Sequence, residues 1–222
     1  MGIKDRVIEQ AVQVGAQRLP GQLSLPTPCR GAVMFVHGSG SSRASPRNRH
    51  VAGVLQRSGL ATLLFDLLRE DEAQDRAHVF DIDLLSARVL QALQWAADEP
   101  ALRGQAMGLF GASTGAAAAL RAAAERPAQV AAVVSRGGRC DLAGAALERV
   151  QAPTLLVIGA RDPAVLRLNR EALRRLPGVK RLEVVPDATH LFEEPGALDA
   201  VAHMAADWFV RHCASVRRPV LA

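Results

Sequence analysis

A serine set between two glycines is the first feature of this 222-residue chain that could do covalent chemistry. Gly111-Ala112-Ser113-Thr114-Gly115 follows an apolar run, Ala106–Phe110, and leads into an alanine-rich stretch, Gly115–Ala124. Strand, sharp turn and helix in that order form the setting in which a G-x-S-x-G serine is held above a sheet as a nucleophile. The glycines are needed where a side chain would collide with the neighbouring strand or helix. Ser113 could instead serve only as the N-cap of that helix, but the context favours the nucleophile.

A serine hydroxyl attacks poorly at neutral pH without a base. His190, His203 and His212 lie downstream of Ser113. Only His190, in Pro186-Asp187-Ala188-Thr189-His190, follows directly on a strand-like run, Arg181–Val185, and is the predicted base. The acid that orients it is predicted to be Asp162, just beyond Thr154–Ile158 in Gly159-Ala160-Arg161-Asp162-Pro163. A carboxylate there can hold the far ring nitrogen and stabilise the imidazolium. Asp162 also suits the N-cap of a helix opening at Pro163. Asp141 and Asp187 are rival acids.

An acyl-transfer centre needs donors for the developing oxyanion. The N–H of Thr114, next after the nucleophile, is one. The loop His37-Gly38-Ser39-Gly40 offers the second, with Ser39 N–H preferred and Gly40 in reserve. His37 reads as a packed support of that loop. Arg43, Arg47, Arg49, Arg136 and Arg139 fall at the same end of the strands. Arg47 lies in the first turn of a helix, where a cation opposes the macrodipole. It therefore calls for a partner, either Asp66 or an anionic group of the substrate. Arg136 is a candidate for the same substrate role, or for a structural ion pair.

The elements that must position these residues alternate along the chain. Gly31–Val36, Leu60–Phe65, Ala106–Phe110, Val130–Val134, Thr154–Ile158 and Arg181–Val185 read as strands, the first two as continuous apolar runs. Helices are predicted from Pro46 to about Ser58, with Ser45 as N-cap and Gly59 as stop, and over Phe80–Ala97, Gly115–Ala124, Leu142–Val150, Pro163–Leu176 and Leu198–Cys213. Val12–Arg18 and Gln22–Leu25 suggest an antiparallel hairpin turning at Pro20-Gly21. The pattern is that of an α/β protein with a mostly parallel, doubly covered sheet and antiparallel N-terminal strands. Ligands bind such sheets at the carboxyl ends of the strands. The length suits one domain over residues 1–222, with 1–10 and 215–222 expected to fray.

Composition narrows the rest. The formal charge is +5, but the arginines are dispersed and many have acids nearby. That argues against nucleic acid as a partner. No apolar run nears the roughly 20 residues of a membrane span, and the charged start Met1-Gly2-Ile3-Lys4-Asp5-Arg6 carries neither a signal core nor a myristoylation motif. Cys29, Cys140 and Cys213 form no framework, so a cytoplasmic setting is expected. No metal-ligand pattern or phosphate loop appears, and no cofactor or metal is expected.

The runs His37-Gly38-Ser39-Gly40-Ser41-Ser42-Arg43, Ser45-Pro46-Arg47-Asn48-Arg49, Phe110-Gly111-Ala112-Ser113-Thr114-Gly115, Ser135-Arg136-Gly137-Gly138 and Ala188-Thr189-His190-Leu191-Phe192-Glu193-Glu194 resemble the dienelactone-hydrolase-related branch of the α/β-hydrolases. Within that branch they look most like hydrolase domains found fused to phosphoribosyltransferases. The resemblance covers the chain from about residue 10. It implies an α/β-hydrolase fold without a large cap domain and a Ser113–Asp162–His190 triad. Dienelactone hydrolase itself has a cysteine nucleophile, and this chain has Ser113. The expected activity is cleavage of a small ester, with anionic substrates preferred, by a monomer or homodimer. Acyl transfer to another acceptor and a non-catalytic binding protein of the same fold are the alternatives.

Overall fold

The computed structural model describes residues 6–213. One eight-stranded sheet forms its centre, in the order β1-β2-β4-β3-β5-β6-β7-β8. The strands are β1 (Arg6–Val14), β2 (Leu19–Thr27), β3 (Gly31–Val36), β4 (Leu60–Phe65), β5 (Met107–Ala112), β6 (Val130–Arg136), β7 (Thr154–Gly159) and β8 (Lys180–Val185). β1 and β2 pair antiparallel, as do β2 and β4, and all pairs from β4 through β8 are parallel. β3, β4, β5 and β7 are buried along their whole length, as expected where helices cover both faces.

The helices are α1 (Pro46–Arg57), α2 (Glu70–Ala73), α3 (Arg76–Val79), α4 (Ile82–Asp98), α5 (Thr114–Glu125), α6 (Pro163–Arg175) and α7 (Ala197–Cys213). One core packs α4, α5 and α6 against the sheet, through residues such as Val89, Leu120 and Ala172. The other face is covered by α1 and α7, through Val51, Leu55, Val201 and Phe209. α1 starts as its sequence predicts: the Ser45 side chain accepts the Asn48 N–H at 3.3 Å, Pro46 opens the first turn, and Gly59 (φ 79°) follows the end. No separate cap covers the reactive edge among the described residues; 3-10 turns over Cys140–Arg149 fill most of the space between β6 and β7.

Several local expectations change. The hairpin does not turn at Pro20-Gly21, which lie inside β2 opposite Gln13 and Val12. It turns over residues 15–18, where Gly15 and Arg18 take positive φ and Arg18 N–H donates to Gly15 O at 3.0 Å. Pro20 is tolerated because the pairing of β2 with β4 begins only at Gly21. Residues 6–10, expected to fray, are paired along β2. Residues 1–5 and the expected frayed tail, including Arg217-Arg218-Pro219, lie outside the described residues. The helix expected over Leu142–Val150 is instead a pair of 3-10 turns broken at Gly144 (φ 58°, ψ −135°). The short helices α2 and α3, to which no periodicity pointed, bridge β4 to α4.

Candidate active site

Ser113 stands at the end of β5, at φ 50° and ψ −123°, a conformation costly for any residue with a Cβ. The turn is held by the backbone on both sides. Ser113 N–H donates to Arg136 O at 3.2 Å, and Ser113 O accepts the N–H groups of Ala116 (3.1 Å) and Arg139 (3.0 Å). The flanking glycines permit this packing. A Cβ on Gly111 would sit 2.5 Å from Ala116 Cα, and one on Gly115 2.2 Å from Val36 O. The elbow is thereby wedged between β3 and the first turn of α5, whose positive end faces the reactive edge.

His190 follows β8 in a loop that is tied down on both sides. Ala188 O accepts Arg161 N–H at 2.9 Å, Thr189 N–H donates to Glu194 Oε1 at 3.1 Å, and Phe192 is buried at φ 56°. The His190–Asp162 pair is formed: Nδ1 lies 2.7 Å from Asp162 Oδ2. With the carboxylate as acceptor, the proton sits on Nδ1 and leaves Nε2 with a free lone pair. The same carboxyl group also caps α6, Oδ1 accepting Val165 N–H at 3.3 Å, so one carboxylate makes both bonds. The rival acids are engaged elsewhere. Asp141 takes both Nε and Nη2 of Arg139, at 2.9 and 2.8 Å, which raises that guanidinium above its ordinary range. Asp187, at φ 57°, pairs with Arg161.

The end of β6 and the glycine after it lie beside both Ser113 and His190. Arg136 O holds Ser113 N–H. A methyl group on the next residue, Gly137, would touch His190 Cε1 and Nδ1 at 3.4 Å. The Ser113 side chain makes no capping bond to α5, so its hydroxyl does not serve the helix.

On the oxyanion side the structure adds a contact with no local signal in sequence. Ser39 N–H donates to Thr114 Oγ1 at 2.9 Å, across 75 positions, so the two nominated donors belong to residues bonded to each other. Gly40 follows at φ 66°, with open space where a side chain would be. His37 is buried, and burial lowers its pKa. In its neutral form it braces the loop, Nδ1 3.0 Å from Gly38 O and Nε2 accepting Leu67 N–H at 3.0 Å. A cavity of about 550 Å³ opens beside this loop, between Ser39–Arg43 and Leu68, Val79 and Leu85.

The arginines divide. Asp66, one expected partner of Arg47, is paired with Arg43 through both main chain and side chain. Arg47 instead reaches Glu193, three residues beyond His190, Nη1 to Oε1 at 3.0 Å. Arg136 is buried, 8 % exposed, and its Nη1 has no hydrogen-bond partner. Burial and the neighbouring Arg47 charge push its guanidinium down to about 10. The structural ion pair considered for Arg136 is not formed among the described residues. No helix of the described residues is long and apolar enough to cross a membrane, and no described group of His, Cys, Asp or Glu is placed to hold a metal ion.

Residues 33–215 match the model of the dienelactone hydrolase family. A Mycobacterium tuberculosis protein named as a phosphoribosyl transferase is 55 % identical over 206 residues, which are 92 % of this chain and 46 % of that protein. The chain thus spans about half the length of the curated relatives it matches. The crystal structure of dienelactone hydrolase from Anabaena variabilis is 51 % identical, with a TM-score of 0.90, and covers 95 % of this chain and 100 % of its own. Est1E from Butyrivibrio proteoclasticus shares the fold at 14 % identity, with a TM-score of 0.77 over 93 % of this chain and 99 % of its own.

Proposed function

This chain belongs to the dienelactone hydrolase family, and from that premise we propose that it is a serine hydrolase cleaving an ester or related acyl bond of a small substrate. The observation that carries the reading is the 2.7 Å bond between Asp162 and His190 Nδ1, formed beside the strained Ser113 turn. In the proposed reaction His190 Nε2 takes the hydroxyl proton of Ser113 as Oγ attacks the carbonyl carbon. Asp162 stabilises the imidazolium. The oxyanion is held by Thr114 N–H and by Ser39 N–H, whose loop Thr114 Oγ1 holds in place. His190 then protonates the leaving alcohol. It next takes a proton from water as that water attacks the acyl-serine, and returns it to Ser113 Oγ as the acid is released.

A fluorophosphonate probe tests the reading directly. Wild type is labelled, and Ser113→Ala loses both the label and about ten-thousandfold or more in kcat on an activated ester. A folded wild-type protein that takes no label and hydrolyses no ester is a binder rather than an enzyme.

A further inference from the structure

The buried face of α6 carries one polar side chain among apolar ones. Its buried residues are Val165, Asn169 and Ala172, and Asn169 is shielded completely from solvent. An amide in that place costs desolvation that a leucine would not, and its hydrogen bonds must offset the cost. Both Nδ2 protons are used. One goes to Val165 O at 2.9 Å, a turn back along the same helix, and the other to Gly138 O at 2.8 Å, 31 positions earlier in the chain. Two carbonyl partners fix which way the amide faces, because its own oxygen cannot donate to them. The first bond is local. The second joins α6 to the segment that follows β6.

Both ends of that second bond reach the candidate site. α6 opens at Asp162, whose Oδ2 lies 2.7 Å from His190 Nδ1 and whose Oδ1 accepts Val165 N–H. Positions 162, 165 and 169 follow one face of a helix, so acid and amide ride on a single rigid stripe. At the other end, Gly138 lies within residues 136–139. Arg136 O accepts Ser113 N–H at 3.2 Å, Arg139 N–H donates to Ser113 O at 3.0 Å, and a methyl group on Gly137 would lie 3.4 Å from the His190 ring. A Cβ on Gly138 would stand 2.6 Å from Ala116 Cβ in the first turn of α5. The chain there is pressed against α5 on one side and gripped by Asn169 from the other.

We infer that Asn169 is a positioning residue for the proton transfer between Ser113 and His190. The inference rests on the serine-hydrolase reading and adds to it a residue outside the triad and the oxyanion donors. Asn169 acts through Gly138 and through the helix that carries Asp162. It holds the acid-bearing helix and residues 136–139 at one spacing, and so keeps base and nucleophile aligned. A misplacement of about 1 Å between reacting groups can cost on the order of 100-fold in rate, so a bond remote from the chemistry can control kcat.

Two variants test this on an activated ester. In Asn169→Ser the short hydroxyl keeps the bond to Val165 O, as serine does in helices, and loses the reach to Gly138 O. Its kcat is expected to fall about 10-fold, with KM within about twofold of wild type. Asn169→Asp has the shape of asparagine and donates to Gly138 O only while its carboxyl is protonated, a form that burial favours. Its kcat relative to wild type is expected to be near one at the acid end of the activity range and to fall as pH rises and the carboxyl ionises. Thermal unfolding shows that each variant is folded, and should Asn169→Ser fail to fold, the pH comparison within Asn169→Asp carries the test. A folded Asn169→Ser with wild-type kcat, a loss confined to KM, or an Asn169→Asp slowed as much at the acid end as at high pH overturns the positioning role, and the hydrolase reading stands if Ser113→Ala is inactive. Full activity in Ser113→Ala means that the hydrolase reading itself fails.

Discussion

Two buried arginines flank the reactive edge, one on each side of the sheet, and they are resolved in opposite ways. Arg88 on α4 is 6 % exposed and donates from Nη2 to Glu72 Oε1 at 2.8 Å. Glu72 is itself buried, and its other oxygen accepts Arg69 N–H at 2.9 Å. That pair fastens the short helix α2 to α4 and so builds one wall of the cavity. Arg136, 8 % exposed, pairs with no carboxylate among the described residues and feels the charge of Arg47. Equal burial thus has two outcomes: Arg88 is neutralised within the described chain and holds structure, whereas Arg136 is not.

The contrast breaks most visibly in stability. Arg88→Met leaves the buried Glu72 with only the half-exposed Arg69, whose Nη1 lies 3.4 Å from Oε1, and is expected to cost about 3 kcal/mol, read from the denaturant midpoint. Arg136→Met removes an unpaired buried charge and is expected to be neutral or to stabilise by about 1 kcal/mol or more in a buffer free of phosphate. Equal losses in the two variants would erase the distinction drawn here. The double variant Glu72→Met/Arg88→Met should recover most of the Arg88→Met loss, because both charges then leave together.

A smaller effect is expected where the two flanks meet. Thr114→Val keeps the side-chain shape but removes the acceptor of Ser39 N–H, a bond worth about 0.5–1.5 kcal/mol. It should lower kcat more than it changes KM, and Thr114→Ser should restore the rate. A Thr114→Val enzyme with wild-type kcat would mean that this bond does not position the loop.

The least effect is expected from His37, which braces the α4 flank through Leu67 N–H. Its native pKa lies below the ordinary 6.5 because of burial. The unfolded chain therefore binds the proton more readily. The contribution of His37 is complete above pH 6.5 and is lost as pH falls from there towards the lower native value. Melting temperatures of wild type should drop more steeply over that interval than those of His37→Gln, and parallel curves would remove the role assigned to this ring.

Much of the site was legible because its signals are local. The Ser113 turn announces itself by two glycines between a strand and an alanine-rich helix. His190 and Asp162 announce themselves by standing just past β8 and β7. The hairpin turn was misread because Pro20-Gly21 carries turn chemistry, yet it sits where the β2–β4 pairing has barely begun. α2 and α3 escaped because helices of four residues are too short to show a period. Asp66, offered as a partner of Arg47, joins Arg43 instead, and Arg47 joins Glu193, 146 positions away.

The amino-acid sequence by itself determined the alternation of strands and helices, the strained serine turn, and the strand ends that carry His190 and Asp162. These follow from steric and periodic rules acting over a few residues. Only the tertiary structure decided that Ser39 N–H rests on Thr114, that Glu72 meets Arg88, and that Arg136 meets no carboxylate. Such pairings join side chains far apart in the chain, and their energies depend on burial, which no stretch of sequence carries on its own.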